Sequence, residues 1–436
     1  MSHQVVGFLA VGDQALMIRH CLAIALVIAV VFSCVVAQAQ DHVFFMFMGT
    51  YTGFKYVHHS RTYGVGESHS KGIYVSRFNA ATGELSEPRL AAEMVNPSFL
   101  TVSPNHRFVY AVSEDPLSLG PPLDAASFVS SFAVEPSTGK LRLLNTVPTG
   151  GTSTCFISMD NTGKYVLMAN FGSGSVSVLR VKEDGSLGET ASFIQNVGHS
   201  VDPSIQSEPH PHSIVVSPDN RYAIVSDLGL DQILIFHFDA TTGTLSPPGP
   251  PTTEVYPGSG PRHFVFDPAG KFGYQLSEMS GVVDVFAWDS TKGMLTGVQS
   301  AHTVPHDFFG SNHSAEMEIL PGGKFLYESN RRTKSETERA PDTIGVFAID
   351  PKDGTLTAVE QALTGGVMPR SFTIDPTGSY LLAANELSNN VVVFKIDRAS
   401  GRLSKTGKEI KVDTTSLPKI QSRGELSSWM SNCHMI

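Results

Sequence analysis

The sequence is poor in cysteine and tryptophan, and it has no strong helical period in its hydrophobic residues. Of its four cysteines, Cys21 and Cys34 lie in an apolar segment near the N-terminus. Cys155 and Cys433 remain, enough for one disulfide but not for a disulfide framework. No Cys-x-x-Cys pair or other zinc-ligand spacing occurs. A helical bundle and a small fold built around disulfides or a structural metal are therefore excluded.

Runs of basic residues are also missing. The chain has 31 Lys and Arg against 41 Asp and Glu, a formal net charge of −10. Such a chain is a poor partner for nucleic acid or for an anionic membrane surface. Arginines that converge at one place in it would therefore indicate a specific anionic ligand. The length of 436 residues and the 41% hydrophobic content are those of a globular protein with a large core.

The N-terminal segment has the pattern of a secretory signal. Arg19 and His20 precede an apolar run over residues 21–36, and Ala37-Gln38-Ala39 follows with small residues at the cleavage positions. The run is shorter than the about 20 apolar residues that span a bilayer. We predict that residues 1–39 are removed and that the protein is secreted or periplasmic. An uncleaved membrane anchor is the alternative.

A repeated phrase predicts the fold. An apolar strand followed by Gly-x-Leu occurs seven times, with spacings from 46 residues (Gly139 to Gly185) to 61 residues (Gly293 to Gly354). The seven glycines are Gly83, Gly139, Gly185, Gly243, Gly293, Gly354 and Gly401. A period near fifty, with short strands and glycine turns, is typical of a propeller blade. We predict an all-β, seven-bladed β-propeller with four-stranded antiparallel blades.

A second phrase, two β runs joined by a turn, occurs only six times. Its turns contain Pro104, Asn161, Pro218, Pro268, Pro321 and Pro376. The first blade lacks a copy, so a strand within residues 409–420 is expected to complete that blade and to join the chain ends. We predict one domain over residues 40–420, a C-terminal tail over residues 421–436, and a monomer.

Equivalent positions in successive blades form rings, so the repeat predicts which side chains meet. The residues six before each turn are Ser98, Cys155, His212, Arg262, Ala315 and Arg370. The residues nine or ten after it are Glu114, Asn170, Asp227, Glu278, Asn330 with Arg331, and Asn385 with Glu386. We expect both sets at one mouth of the central tunnel. Because a tunnel mouth is not core, we also expect substitutions there to change stability little.

These ring residues also have purely structural interpretations. Ser98, Asn170 and Asp227 are of types that cap turns and strand ends. The arginines could simply pair with Glu278 and Glu386. Several arginines that point into one concave site of an acidic protein nevertheless favour a binding pocket for an anion.

The motifs at these rings resemble one known family. They are Asp202-Pro, Glu208-Pro-His-Pro-His212-Ser, Gly260-Pro-Arg262-His263, Ser277-Glu278, Asn312-His-Ser-Ala-Glu316, Ser329-Asn-Arg331, Pro369-Arg370-Ser371 and Gly49-Thr-Tyr-Thr52. In this order, from residue 44 to residue 403, they resemble the propeller lactonases. That family includes bacterial 6-phosphogluconolactonases and fungal carboxy-cis,cis-muconate cyclases.

The resemblance implies a set of site residues. Its proposed active residues correspond to His212, Arg262, Glu278 and Arg331. Together with the rings, it suggests that the substrate also contacts His210, Glu316, Asn330, Arg370 and Asn385. Phe156 stands where relatives often have histidine, which implies a different specificity. The predicted export also fits poorly with 6-phosphogluconolactone, a cytosolic intermediate.

The chemistry that the resemblance implies is lactone hydrolysis. His212 would be the base, Glu278 would orient it or protonate the leaving oxygen, and the two arginines would bind the oxyanion and an anionic substituent. No metal or cofactor is required. A lactonising cyclase could use the same groups, and a propeller that only binds a ligand or protein is the alternative from another class. A divalent ion held by Glu278, Asn330 and Asn385 is disfavoured by the nearby arginines.

Overall fold

The computed structural model describes residues 42–54, 67–114, 126–246, 253–333, 338, 340–413 and 415–422. Every regular element within these ranges is a β-strand, which confirms the all-β prediction. The predicted signal, Cys433 and most of the predicted C-terminal tail lie outside the described residues.

The strands are short and follow one another with tight connections. The first fourteen are β1 (Val43–Thr50), β2 (Gly53–Phe54), β3 (Glu67–Ser68), β4 (Gly72–Asn79), β5 (Glu84–Leu85), β6 (Arg89–Glu93), β7 (Pro97–Val102), β8 (Phe108–Ser113), β9 (Phe128–Val134), β10 (Leu141–Pro148), β11 (Thr154–Met159), β12 (Tyr165–Asn170), β13 (Ser175–Val181) and β14 (Leu187–Gln195). The next nine are β15 (Pro211–Val216), β16 (Tyr222–Asp227), β17 (Gln232–Asp239), β18 (Thr244–Ser246), β19 (Thr253–Glu254), β20 (Pro261–Phe266), β21 (Phe272–Ser277), β22 (Val282–Asp289) and β23 (Met294–His302). The last nine are β24 (Ser311–Ile319), β25 (Phe325–Thr333), β26 (Thr343–Ile349), β27 (Leu356–Leu363), β28 (Pro369–Ile374), β29 (Tyr380–Asn385), β30 (Asn390–Ile396), β31 (Leu403–Lys411) and β32 (Thr415–Ser422).

Seven antiparallel sheets form the seven predicted blades. Blade 1 has the order β32-β1-β4, and its outer strand is split into β5 and β6. Blades 2 and 3 are β7 to β10 and β11 to β14. Blade 4 is β15 to β17, with its outer strand split into β18 and β19. Blades 5, 6 and 7 are β20 to β23, β24 to β27 and β28 to β31. A small separate hairpin pairs β2 with β3.

The innermost strands form a closed ring. Each of β7, β11, β15, β20, β24 and β28 contacts the inner strand of the next blade, and β32 contacts both β28 and β7. The C-terminal strand thus completes blade 1 by pairing with β1, from Phe44 opposite Ser422 to Gly49 opposite Leu417. This confirms the predicted closure of the first blade, and the strand starts later and ends later than the predicted segment. Residues 409–411 belong to β31, and β32 runs two residues past the predicted domain end at residue 420.

The glycines of the seven Gly-x-Leu phrases lie in the turns before the outer strands. All seven have φ between 64° and 84°, which glycine adopts without the strain of a side chain. Each also lies against an aromatic ring of the preceding blade, as Gly185 does against Phe108 and Gly83 against Tyr380 of blade 7. The repeated glycine therefore both forms the turn and packs one blade on another.

The core lies between neighbouring sheets. Because both faces of a blade are covered, the second strand of each blade is buried along almost its whole length, as in β12, where every residue from Tyr165 to Asn170 is buried. One hydrophobic cluster joins Tyr165 and Val178 of blade 3 to Ile214 and Phe236 of blade 4. This packing holds the inner strands, and the residues that they carry, in a fixed ring.

Candidate active site

A β-bulge in each inner strand positions the candidate residues. The pairing of β15 with β16 joins Pro211 to Asp227 and then Ser213 to Ser226, which leaves His212 outside the ladder. The same shift leaves Arg262 unpaired in β20 and Arg370 in β28. The other bulges fall at Ser98, Cys155, Ala315 with Glu316, and Ser416. Bulges re-aim side chains, and here they fall at the residues of the first predicted ring.

The residues of the second predicted ring occupy two different positions relative to the bulge. Asn170, Asp227 and Asn385 end their strands, Asn330 lies within β25, and each of the four pairs with the residue directly before the bulge. Glu114 and Glu278 instead follow the strand, and their backbone N–H groups donate to Asn96 and Gly260 two residues before the bulge. The offsets of nine and ten residues that define the second predicted ring therefore correspond to two neighbouring positions in the blade.

Four predicted site residues join in one buried cluster. The Glu278 carboxylate lies between two guanidinium groups, with Oε2 2.6 Å from Arg262 Nη1 and Oε1 2.7 Å from Arg331 Nη2. His212 Nε2 lies 2.6 Å from Arg262 Nη1 and 3.9 Å from Glu278 Oε2. The four residues are between 2% and 6% exposed. They therefore belong to the interior, contrary to the sequence-based expectation.

Arg331 retains an unused donor. Its Nε donates to the carbonyl of His313 and its Nη2 to the carbonyl of Ser314 as well as to Glu278. Its Nη1 is buried and has no hydrogen-bond partner among the described residues. Burial lowers the pKa of Arg331 to about 10, so the group stays charged at neutral pH. A charged, unsatisfied donor of this kind is suited to bind a ligand oxygen.

His212 has no free lone pair in this arrangement. Because a guanidinium can only donate, His212 Nε2 accepts from Arg262, and the ring proton is assigned to Nδ1, 3.6 Å from Cys155 Sγ. Burial is the main cause that holds the pKa of His212 well below its usual range, and the charge of Arg262 is the next. His212 is therefore neutral, and its Nε2 is occupied.

A second ion pair lies beside this cluster. Arg370 Nη2 lies 3.5 Å from Glu114 Oε2, which also accepts a hydrogen bond of 2.8 Å from Tyr51 Oη. The Arg370 guanidinium lies 5.4 Å from the centre of the Tyr51 ring. Its charge contributes to lowering the pKa of His212. Arg370 thus adds positive charge in the neighbourhood of the cluster.

His263 and Glu316 occupy the positions that follow Arg262 and Ala315 on the inner strands. His263 Nδ1 lies 2.9 Å from Glu316 Oε1, and Glu316 Oε2 accepts from Ser371 Oγ at 2.9 Å. The His263 ring lies edge-on to that of His212, with the centroids 5.6 Å apart. Phe156, the departure noted in the sequence, contacts the His263 ring at 5.4 Å.

The remaining predicted substrate contacts differ in their surroundings. His210 is half-buried, stacks on Phe171 and has its Nδ1 2.8 Å from the Phe171 carbonyl oxygen, next to His212. The side-chain amide of Asn330 forms hydrogen bonds in and next to blade 6, including one of 2.7 Å from Nδ2 to Glu328 Oε1. Asn385 is fully buried, and neither of its amide atoms has a hydrogen-bond partner among the described residues. His210 and His212 both contact the Phe171 ring, whereas no hydrogen bond among the described residues links Asn330 or Asn385 to the four-residue cluster.

Sequence reasoning missed His263 as a site residue, although the motif contained it. It also gave no role to Tyr51. The sequence did contain a signal for His263, because it directly follows the first-ring residue Arg262 just as Glu316 directly follows Ala315.

Within the described ranges no group of three or more His, Cys, Asp or Glu side chains could hold a metal ion, and no helix is long and apolar enough to cross a membrane.

The fold and the site together define a class of protein. The model of the family "Lactonase, 7-bladed beta-propeller" matches residues 45–419, and the chain belongs to that family.

Relatives of known name agree with this assignment. The chain is 32% identical over 350 residues to a 6-phosphogluconolactonase of Bacillus subtilis, covering 80% of this chain and 94% of the relative. It is 34% identical over 347 residues to a 6-phosphogluconolactonase of Formosa agariphila, covering 79% and 94%. A solved structure, the periplasmic gluconolactonase of Pseudomonas aeruginosa, superposes with a TM-score of 0.76 at 31% identity and covers 87% of this chain and 99% of its own.

Proposed function

We propose that the protein is an exported lactone hydrolase that acts on a sugar-derived or other anionic lactone. The observation that carries this proposal is the buried Arg262–Glu278–Arg331 group, in which Arg331 Nη1 has no hydrogen-bond partner among the described residues. The names of the relatives support the reaction class.

The arginines would stabilise the negative charge that develops during ester cleavage. Attack of water on the lactone carbonyl places negative charge on the carbonyl oxygen, and donors already in position stabilise that charge. Arg262 is held by Glu278 and by the Ala315 carbonyl, to which its Nε donates at 2.7 Å. Arg331 is held in the same way. Because neither side chain has to be ordered when the substrate binds, both would act as fixed oxyanion donors.

The charges of the site favour a lactone without a phosphate group. Glu278 partners both Arg262 and Arg331, and Glu114 partners Arg370. A phosphate dianion would have to compete with these carboxylates, whereas a carbonyl or a single carboxylate needs only one free donor. Export points in the same direction, and the Pseudomonas relative is a periplasmic gluconolactonase.

The test compares one aldonolactone with its phosphate ester. We expect the mature chain to hydrolyse the unphosphorylated lactone with a kcat/KM at least about tenfold higher, a difference of about 1.4 kcal/mol. The measurement is proton release at fixed pH, corrected for spontaneous hydrolysis. Preference for the phosphate ester would contradict the substrate assignment, and no acceleration with either lactone would remove the proposed function.

Export makes a separate prediction about the mature N-terminus. If residues 1–39 form a signal, the protein recovered from the periplasm or medium begins at Gln40. N-terminal sequencing of that protein is the measurement. A protein that retains Arg19 and stays in the cytoplasm would contradict export and would favour a phosphorylated substrate.

A further inference from the structure

The pair formed by His263 and Glu316 has the arrangement of a general base and its orienting carboxylate. Glu316 Oε1 lies 2.9 Å from His263 Nδ1 and also accepts the Met317 N–H at 3.0 Å, while Ser371 donates to Oε2. Burial alone would raise the pKa of Glu316, but His263 and Lys419 lower it to about 2. The carboxylate is therefore ionised and fixes the proton of His263 on Nδ1.

The other ring nitrogen of His263 is available. With the proton on Nδ1, Nε2 carries a lone pair, and no hydrogen bond to it is found in the part of the chain that the structure describes. His212 is the opposite case, since Arg262 donates to its Nε2 at 2.6 Å. Of these two neighbouring histidines, only His263 can take a proton from water without first breaking a charged hydrogen bond.

We propose that His263, oriented by Glu316, is the general base that activates the hydrolytic water, and that His212 is a positioning residue for Arg262. This inference rests on the proposed lactone hydrolysis. His263 Nε2 takes one proton from water as the water oxygen bonds to the lactone carbonyl carbon. The carbonyl oxygen becomes the oxyanion held by the arginines. Its collapse breaks the ring C–O bond, and the leaving oxygen takes the proton from the His263 imidazolium, which yields a hydroxy acid.

The charges around His263 determine the expected pH dependence. The groups that face it are Glu316 on β24, Arg262 on β20, Arg370 on β28 and His212 on β15, and Lys419 of β32 acts through Glu316. Burial lowers the pKa of His263 below 6.5, Glu316 opposes this, and Arg262 and Arg370 add to it. The neutral base form is thus fully present at neutral pH. We expect kcat/KM to fall only as the pH drops through that lowered pKa.

The first test is the pH–rate profile of three variants. His263→Asn should lower kcat by roughly 10²–10⁴-fold, the usual contribution of a general base, and should abolish the acid limb. His212→Asn should lower the rate but keep the acid limb, because the base is still present. His237→Asn, an exposed histidine on β17, is the matched control and should behave like the parent.

Glu316→Gln gives a second test that does not depend on the fold of the His263 variant. Its carboxylate raises the pKa of His263, so its loss should move the acid limb to lower pH and lower the plateau, because the ring proton is no longer fixed on Nδ1. Added imidazole should also restore part of the activity of His263→Ala. It should leave the activity of His237→Ala unchanged, because that variant has lost no activity.

Several outcomes would overturn the assignment. A folded His263→Asn protein with the parental rate or acid limb would do so, and so would an unmoved acid limb in Glu316→Gln. Loss of the limb in His212→Asn instead would make His212 the base and leave lactone hydrolysis intact. A parent protein that hydrolyses no lactone would remove the proposed function itself.

Discussion

Arg262→Ala is expected to lower kcat for lactone hydrolysis by about 10²–10³-fold, the typical loss when one oxyanion donor is removed. The effect should be this large because Glu278 at 2.6 Å and the Ala315 carbonyl at 2.7 Å fix the Arg262 guanidinium, so its removal takes away a donor that is already in position. The variant should still fold, since Glu278 keeps Arg331 at 2.7 Å. The measurement is kcat at saturating lactone, together with urea denaturation.

Arg180→Ala is the matched control for this variant. Arg180 forms an ion pair with Glu189 at 3.0 Å on the exposed side of β13, so its loss should leave kcat unchanged. A folded Arg262→Ala protein with the parental kcat would contradict the assignment of Arg262 to the oxyanion.

Glu278→Ala is expected to destabilise the fold by about 3–5 kcal/mol, the cost of leaving buried charge without its partner. Glu278 is the carboxylate between Arg262 and Arg331, which are 3% and 2% exposed. Without it, two buried cations face each other with no anion between them. The measurement is the free energy of unfolding from urea titration.

The exposed carboxylate Glu189 offers the comparison for that measurement. Glu189→Ala removes a surface ion pair and should shift the urea midpoint little. Equal midpoints for the Glu278 and Glu189 variants would show that the buried cluster does not hold its charges as described. That result would also agree with the sequence-based expectation that substitutions at the tunnel mouth change stability little.

The fold was predictable because its determinants are local and repeated. A glycine with φ near 75° recurs in every blade, so seven Gly-x-Leu phrases specify seven turns. The closing strand was harder to place, since Thr415–Ser422 has no turn phrase of its own and depends on pairing with β1. Long-range pairing of this kind leaves no periodic signal.

The site was predictable only in part. The first ring coincided with the bulged residues His212, Arg262 and Arg370, because the bulge recurs at the same offset in each repeat. Burial and hydrogen-bond direction do not follow from an offset, and they decide whether His212 or His263 has a free lone pair. The sequence alone therefore pointed to His212 as the base.

The most direct measurement of the central claim is ring opening of an unphosphorylated aldonolactone by the mature chain in H₂¹⁸O, followed by mass spectrometry of the product. Attack on the carbonyl, with the oxyanion on Arg262 and Arg331, predicts one ¹⁸O atom in the carboxylate, formed faster than without protein. Arg262→Ala should slow this incorporation by about 10²–10³-fold. Incorporation at the uncatalysed rate, or label in the hydroxyl group instead of the carboxylate, would contradict the account.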